Sequence, residues 1–180
     1  SEQQRALTAR SFHATDVRQA LVSVPKRVTA TKNLKKIVSA AVGQSHTLLL
    51  AQTGEVYAMG DNKNGSLGTP ANHKHATRTN VLTRHCLIGL GEHVEKTAEP
   101  WLIDALQGHN IRQISAGAEH SLVMCEDGHV FSWGLAATGR LGCGDASVLS
   151  NVYVPQQVTG IEGRPLAVSA GLQHSLVLTP

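Results

Sequence analysis

Three histidines occupy matching places along the chain, and histidine serves proteins both as a metal ligand and as a general acid–base group. His46, His120 and His174 each follow a glycine by three residues and precede Thr-Leu or Ser-Leu. A single metal or active site would need the three rings close together. A residue that recurs once per repeat indicates instead a structural role, and we expect each ring to bond backbone in a neighbouring loop.

A second group of candidate metal ligands lies between residues 69 and 97. It consists of His73, His75, His85, Cys86 and His93. Structural zinc sites pair their ligands at spacings of about two to four and three to five residues. The close pairs here, His73 with His75 and His85 with Cys86, do not follow that pattern. The sequence therefore predicts no metal and no cofactor.

Other patterns that could carry chemistry are also weak. The glycine-rich run at 139–144, GRLGCG, has neither the Lys-Ser/Thr pair nor the following helix of a nucleotide-binding loop, so a turn is the better interpretation. No GxSxG nucleophile motif and no readable pair of carboxylates is present. Cys125 and Cys143 fit small buried positions of a repeat. We expect a protein that is not an enzyme.

The elements around these residues are copies of one another. Residues 42–68 align without a gap to residues 116–142, and a third copy begins at residue 170. Glycines stand 8, 14, 19 and 22 residues after both His46 and His120. Such a fixed spacing predicts a repeat architecture. The repeat residues are Gly43, His46, Gly54, Gly60, Gly65, Gly68, Gly117, His120, Gly128, Trp133, Gly134, Gly139, Gly142, Gly171 and His174.

Each copy predicts a small antiparallel sheet. Residues 46–51 and 55–59 are rich in Leu, Val, Tyr and Thr, and the Gln-Thr-Gly between them is typical of a tight hairpin turn. Residues 37–41 predict a strand leading in, and later glycines mark an exit loop. Such a sheet cannot bury both faces alone, so copies should stack around an axis or along a solenoid.

The most regular segments are GxxHSL at 117–122 and 171–176, DGxVFSWG at 127–134 and GRLGCGD at 139–145. With these residues the chain resembles the regulator-of-chromosome-condensation repeat family over about residues 34–68 and 98–180. The resemblance implies a seven-bladed β-propeller. The expected fold is therefore all-β, a partial propeller forming an open arc of about two to three four-stranded blades.

The histidine spacing also predicts the domain organisation. His120 and His174 are 54 residues apart, whereas His46 and His120 are 74 apart. We assign the excess to a loop insertion at residues 69–97, which should project from the propeller, and residues 1–33 to a basic N-terminal extension before repeats at 34–180. A seven-bladed ring needs roughly 350 residues. We therefore expect a portion of a longer protein, or completion by another polypeptide, with residues 176–178 at an open edge.

Composition bounds the partners and the compartment. The first 40 residues carry eight basic and two acidic side chains, although the whole chain has a net charge of only +3. An anionic partner is expected to contact this segment. The candidate contacts are Lys26, Arg27, Lys32, Lys35 and Lys36. No apolar run is long enough for a membrane span. Residues 6–21 resemble the end of a mitochondrial presequence, which favours the mitochondrion over nucleus or cytosol.

The family resemblance implies three alternative functions. The first is a non-catalytic scaffold for protein–protein interaction within a larger assembly. The second is a guanine-nucleotide exchange factor for a small GTPase, although no exchange face is identifiable in the sequence. The third is contact with the phosphate backbone of RNA or DNA in a ribonucleoprotein or chromatin complex, which would be sensitive to salt.

Overall fold

Ten β-strands in three antiparallel sheets make up nearly all of the regular structure. The structure is a computed structural model, and it describes residues 34–62, 66–68, 96–144 and 151–180. Within these ranges there is no α-helix, and two 3-10 turns span Asp104–Leu106 and Ala137–Gly139. Accordingly, no helix in the described ranges has the length and hydropathy to cross a membrane.

The first sheet, which we call blade one, contains four strands in sequence order. They are β1 Ile37–Val42, β2 His46–Ala51, β3 Val56–Asp61 and β4 Lys96–Leu102. The β2–β3 hairpin closes with a bond from the Gly54 amide to the Ala51 carbonyl, 3.0 Å long. Gly54 has a φ of 84°, a conformation that glycine adopts without steric cost.

Blade two repeats this arrangement with the same register. Its strands are β5 Ile111–Ala116, β6 His120–Cys125, β7 Val130–Leu135 and β8 Asn151–Gln157. His120 lies opposite Gly134 in the β6–β7 pair, just as His46 lies opposite Gly60 in β2–β3. The equal spacing of histidines and glycines in the sequence thus reflects equal strand pairing.

A two-stranded sheet begins a third blade. It consists of β9 Ala167–Ala170 and β10 Ser175–Leu178, and β10 has no neighbour on its other side among the described strands. β1 and β2 pack against β5, and β5 and β6 pack against β9, so the sheets stack in chain order. The prediction of an all-β partial propeller with two to three blades is confirmed.

The apolar core lies mainly between blades one and two. Leu48, Ile103, Val123 and Trp133 are among its fully buried side chains. A smaller cluster, Leu122, Met124, Val130 and Val168, joins blade two to β9. Burial of apolar surface therefore holds successive blades together, as expected for units that cannot cover both faces alone.

Two sequence-based boundaries need correction. Gly60 and Gly134 were expected in an exit loop, but they lie inside β3 and β7, where strands pair closely with the histidine. Lys96 and Thr97 were placed in the insertion, but they begin β4. The β3–β4 connection spans residues 62–95, against 136–150 for β7–β8, so the extra length does lie there. Its candidate ligands between His73 and His93 are outside the described residues.

Candidate functional site

The repeated histidine rings lie directly on the repeated glycines. In each copy the glycine amide donates to the carbonyl of the histidine three residues later, at 2.8 Å. A Cβ atom added to Gly43 would lie 2.6 Å from Cε1 of His46, and one on Gly117 would collide with the ring of His120. It would also come 2.6 Å from the Gly171 carbonyl oxygen. Only glycine leaves room for both the ring and the next blade.

Each buried ring bonds a serine of the following blade. Nε2 of His46 is 2.8 Å from Oγ of Ser121, and Nε2 of His120 is 3.0 Å from Oγ of Ser175. The prediction of a backbone contact is corrected at Nε2, which bonds a serine hydroxyl in both copies. Serine is the residue that follows the histidine in its own copy, so one motif supplies both halves of the contact.

The serine hydroxyl then returns to the preceding blade. Ser121 donates to the carbonyl of Ser66 at 3.0 Å, and Ser175 donates to the carbonyl of Arg140 at 2.6 Å. A hydroxyl has one proton, so its oxygen must accept from the ring, which places the imidazole proton on Nε2. We call this histidine–serine–carbonyl arrangement the inter-blade bridge.

Both bridging imidazoles are neutral at ordinary pH. Burial, with a smaller contribution from the His120 ring, lowers the pKa of His46 from 6.5 to about 4. Burial, followed by the Arg140 guanidinium, lowers the pKa of His120 to about 4. Nδ1 of His46 is buried without a hydrogen-bond partner, so a proton added there would find no acceptor. Both bridges are therefore intact at neutral pH.

A serine within hydrogen-bond distance of a histidine could in principle be a nucleophile with its base. Here Ser121 is 0% exposed and His46 is 2% exposed, so no substrate reaches the pair. The serine proton is also already committed to a carbonyl. Burial raises the pKa of the Cys125 thiol to about 11, which keeps it protonated and unreactive. The geometry of these groups is structural.

Further side chains join the blades. Gln113 of β5 donates from Nε2 to the Val168 carbonyl at 2.9 Å and accepts from the Val168 amide at 3.1 Å. Trp133 donates from Nε1 to the Ser66 carbonyl at 2.8 Å, and Gly68 lies against its indole. Ser66 therefore receives two donors from blade two. Neither this carbonyl nor Gln113 carried a recognisable signal in the sequence.

The repeat glycines Gly54, Gly128, Gly139 and Gly142 occupy turns. Gly128 closes the β6–β7 hairpin with a φ of 93°, as Gly54 does in blade one. Gly139 and Gly142 have positive φ in the connection after β7. Gly65 lies outside the described residues. The intolerance of these glycines to substitution stays a prediction.

Arg140 is a buried charge that sequence reasoning passed over as part of a glycine turn. Its residue is 4% exposed, and Nε donates to the Ala137 carbonyl at 2.9 Å. Nη1 lies 3.7 Å from a carboxylate oxygen of Glu119. Position 140 corresponds to Ser66 in blade one, so this charge is particular to blade two. It lies beside the bridge that joins β10.

The candidate anionic-partner residues are only partly described. Lys26, Arg27 and Lys32 lie outside the described residues. Lys35 forms a 2.7 Å ion pair with Glu55, which raises the pKa of the lysine and lowers that of the glutamate. Lys36 is exposed. Within the described ranges, no three His, Cys, Asp or Glu side chains come together to hold a metal.

The strand order divides the exposed loops between two faces. Strands alternate in direction, so the three turns before the histidine motif leave from the same edge as the β3–β4 and β7–β8 connections. We call this edge the turn face, defined by Gly43–Ser45, Gly117–Glu119 and Gly171–Gln173. The opposite edge, the hairpin face, carries the Gly54 and Gly128 hairpins. It also holds a cavity of about 210 Å³ between residues 53–56 and 102–110.

Four-stranded sheets in one register, joined by repeated bridges, define this chain as part of a β-propeller. The regulator of chromosome condensation (RCC1) repeat matches residues 53–124 and 127–178, and a second description of the same repeat matches 37–66 and 111–139. The chain belongs to the RCC1 repeat family. The resemblance inferred from its motifs is thereby confirmed.

Curated relatives include much longer proteins. The chain is 32% identical over 142 residues to the ultraviolet-B receptor UVR8 of Arabidopsis thaliana, covering 78% of this chain and 27% of the receptor. It is 34% identical over 149 residues to the X-linked retinitis pigmentosa GTPase regulator of Homo sapiens, covering 83% of this chain and 12% of the regulator. The match thus concerns only a part of each relative.

Solved structures agree with the fold. Prp20p from Saccharomyces cerevisiae matches with a TM-score of 0.65 and 23% identity, covering 81% of this chain and 31% of Prp20p. Human WBSCR16 matches with a TM-score of 0.63 and 23% identity, covering 83% of this chain and 32% of that structure. At this identity the likeness establishes the propeller architecture alone.

Proposed function

We propose that this chain is a non-catalytic part of a propeller scaffold that binds other proteins through the turn face. One observation carries the proposal. The positions that build the bridges repeat, whereas the two positions before each histidine do not, and four of those six side chains are exposed. The residue before the histidine is Ser45, Glu119 or Gln173, and the one before that is Gln44, Ala118 or Leu172.

This contrast separates architecture from recognition. Glycine, histidine and serine are fixed by buried contacts that each blade must make. Gln44, Ser45, Leu172 and Gln173 are exposed to solvent, whereas Ala118 is buried and Glu119 lies beside Arg140. Loops on a rigid scaffold are where proteins usually place binding residues. Leu172 is 66% exposed, which favours a partially apolar contact. The β3–β4 connection, residues 62–95, is the longest between consecutive described strands, and it also starts and ends at this face.

Family members support a role in protein binding. The structure of Prp20p was described together with its binding to Gsp1p and histones, and yeast RCC1 was solved with Kap60 bound to it. These are properties of those proteins, of which this chain matches about a third. They make a protein partner the most economical proposal for the turn face here.

Paired charge variants test which face binds. Gln44→Lys with Leu172→Asp alters the turn face, and Gln52→Lys with Glu126→Lys alters the hairpin face as a matched control. All four side chains are exposed. After cross-linking in cells, partners should be lost from the turn-face variant and kept by the control. Loss from the hairpin-face variant alone would contradict the proposal.

Nucleotide exchange on a small GTPase is the second candidate. It is favoured by the relation to a protein named as a GTPase regulator. A nucleotide-release assay with a panel of small GTPases distinguishes the candidates, since a scaffold leaves release rates unchanged. Acceleration at catalytic protein levels, abolished by the turn-face variant, would replace the scaffold proposal. Contact with nucleic-acid phosphates stays a prediction about Lys26, Arg27, Lys32, Lys35 and Lys36, and a mitochondrial location stays a prediction from residues 6–21.

A further inference from the structure

The two hairpins of the hairpin face are covered differently. In blade two the side chain of Arg164 lies across the hairpin glycine. Its Cγ atom is 3.4 Å from the place where a Cβ on Gly128 would stand, and its Nη2 donates to the Glu126 carbonyl at 2.8 Å. One arginine therefore covers this turn with its aliphatic stem and bonds the main chain with its guanidinium.

Blade one has an asparagine at the equivalent position. Asn110 precedes Arg164 by 54 residues, which is also the spacing of the second and third repeat histidines. A Cβ on Gly54 would be 3.4 Å from Cα of Asn110, and the three atoms nearest to it are main-chain atoms. Two of the three atoms nearest to a Cβ on Gly128 belong to the side chain of Arg164. The asparagine side chain is too short to cross its turn as the arginine does.

The space beside Gly54 is the cavity of about 210 Å³ on the hairpin face, and Asn110 is among its lining residues. Three further lining residues are apolar and at most 2% exposed, namely Val56, Ile103 and Leu106. Cavities that hold whole small-molecule ligands have volumes of about 300 to 1,000 Å³. The smaller cavity here therefore suits a single side chain with an apolar stem.

A carboxylate in the lining of this cavity attracts cations. It belongs to Glu55, at a position where blade two has His129. Its Oε2 accepts from the hydroxyls of Thr53 and Tyr57, each at 3.2 Å, and its Oε1 accepts from Nζ of Lys35 at 2.7 Å. A carboxylate has about four acceptor positions, so one remains on Oε1. The group is thus held in place and can accept one more donor.

We propose that the cavity beside Gly54 is a binding site for an arginine side chain of a protein partner. Arg164 supplies the precedent, because it makes the equivalent contact within blade two. The arginine stem would lie across Gly54 against the buried apolar residues, and its guanidinium would bond the Glu55 carboxylate. The site lies on the hairpin face, so this inference goes beyond the proposed scaffold function and does not depend on the turn face.

The Gln52 carbonyl is a second acceptor for the guanidinium. It corresponds to the Glu126 carbonyl, which accepts from Arg164. The amides of Gln52 and Glu126 both donate at 2.8 Å to the residue just before the first strand of a blade, which is Lys36 in blade one and Asn110 in blade two. Arginine has donors in a fixed fork that can reach a carbonyl and a carboxylate together, whereas lysine carries a point charge. The acceptors therefore favour arginine.

Short peptides test the site on the full chain. The probe is acetyl-Gly-Arg-Gly-amide, and the matched control peptide has citrulline in place of arginine, which has nearly the same shape without the charge. NMR titration follows the amides of Gly54, Glu55 and Asn110. We expect saturable shifts of these amides with the arginine peptide. The affinity of the citrulline peptide should be lower by about tenfold, because its hydrogen bonds are not charge-assisted.

Two substitutions should move the affinity in opposite directions. Asn110→Arg gives blade one the side chain that blade two has, which should fill the cavity from within and abolish binding of the arginine peptide. Asn110→Gln is the matched control and should keep binding. Lys35, whose side chain is 54% exposed, competes for the Glu55 carboxylate. Lys35→Gln should therefore raise the affinity by about two- to fivefold.

Three outcomes would overturn the proposal. Equal affinity for the two peptides would show that the site does not recognise a guanidinium. Unchanged binding to Asn110→Arg, in a chain whose amide spectrum shows the native fold, would place the peptide outside the cavity. The absence of saturable shifts with the arginine peptide would show that the cavity does not bind this side chain. If Asn110→Arg does not fold, Glu55→Gln decides, because its affinity should fall by about tenfold and an unchanged affinity would contradict the site.

Discussion

β6 and β10 are the same motif in two settings, and their difference shows what the motif needs. β6 lies between β5 and β7 and is buried along its whole length. β10 pairs only with β9 among the described strands, and its residues alternate between partly buried and exposed. The sequence His-Ser-Leu-Val therefore specifies a strand, while its neighbours specify whether that strand is core.

The two histidines differ in the same way. His120 is fully buried and bonds Ser175 of the next blade, whereas His174 is exposed. The larger cluster between blades one and two and the smaller one at β9 follow the same trend. The buried contacts lie between successive blades, so equivalent substitutions should cost less in the third sheet, against whose outer face no described blade packs.

The largest effect is expected for Gly117→Val. The new side chain would collide with the His120 ring and the Gly171 carbonyl, in a place where two blades meet. We expect a loss of about 4 kcal/mol in the free energy of unfolding, or no folded protein. Gly171→Val, beside the exposed His174, is the matched control and should cost much less. Equal losses in urea unfolding would contradict the comparison.

The second largest effect is expected from acid, which should destabilise the folded chain through the buried histidines. The pKa of His46 is about 4 in the folded chain, below its ordinary value of 6.5, so the unfolded state takes up the proton first. The contribution of the neutral His46 ring to the free energy of unfolding is complete above about pH 6.5 and is lost as the pH falls to about 4. At 1.36 kcal/mol per pKa unit, the loss from His46 approaches about 3 kcal/mol.

Urea unfolding between pH 7.5 and 4 measures this effect. The double variant His46→Gln with His120→Gln should show a shallower decline in stability than the parent chain. His174→Gln, whose ring is exposed, should decline as the parent does. Parallel curves for the parent and the double variant would show that the buried rings do not control the acid response.

Truncation of a bridging histidine should lower the free energy of unfolding by somewhat less than acid does. His120→Ala removes a buried ring and leaves the Ser175 hydroxyl without its donor. We expect a loss of about 2 to 3 kcal/mol. His174→Ala should change stability by about 0.5 kcal/mol or less. Thermal unfolding measures the loss of stability in both variants. Equal losses for His120→Ala and His174→Ala would show that the bridge does not stabilise the fold.

The fold was largely predictable from the sequence, because turns and strands depend on single residues and short segments. Glycine spacing predicted the hairpins because positive φ at Gly54 and Gly128 is a property of single residues. The strands around His46 and His120 followed from β-branched and leucine-rich runs. Their partners were not predictable, because Ser66 contributes a carbonyl, which any residue has. Arg140 was missed for a related reason, since its burial depends on Glu119 and on the next blade.

The smallest effect concerns the β6–β7 hairpin turn, which lies outside the apolar clusters. Gly128→Val places a β-branched residue at a φ of 93° and should cost about 1–3 kcal/mol through backbone strain. Its Cβ would lie 3.4 Å from Cγ of Arg164, a flexible side chain, so steric clash adds little. Gly160→Val, with a φ of 78° and open space around it, isolates the strain. An unchanged melting temperature for Gly128→Val would show that this turn tolerates side chains.

The most direct test of the central claim is native-state hydrogen exchange at matched positions of β6 and β10. Leu122 and Leu176 share a position in the motif, as do Met124 and Leu178, and all four pair with the preceding strand. If neighbouring strands determine burial and stability, the β6 amides should exchange only through global unfolding and the β10 amides through local opening of lower free energy. Equal protection at the matched positions would contradict the account.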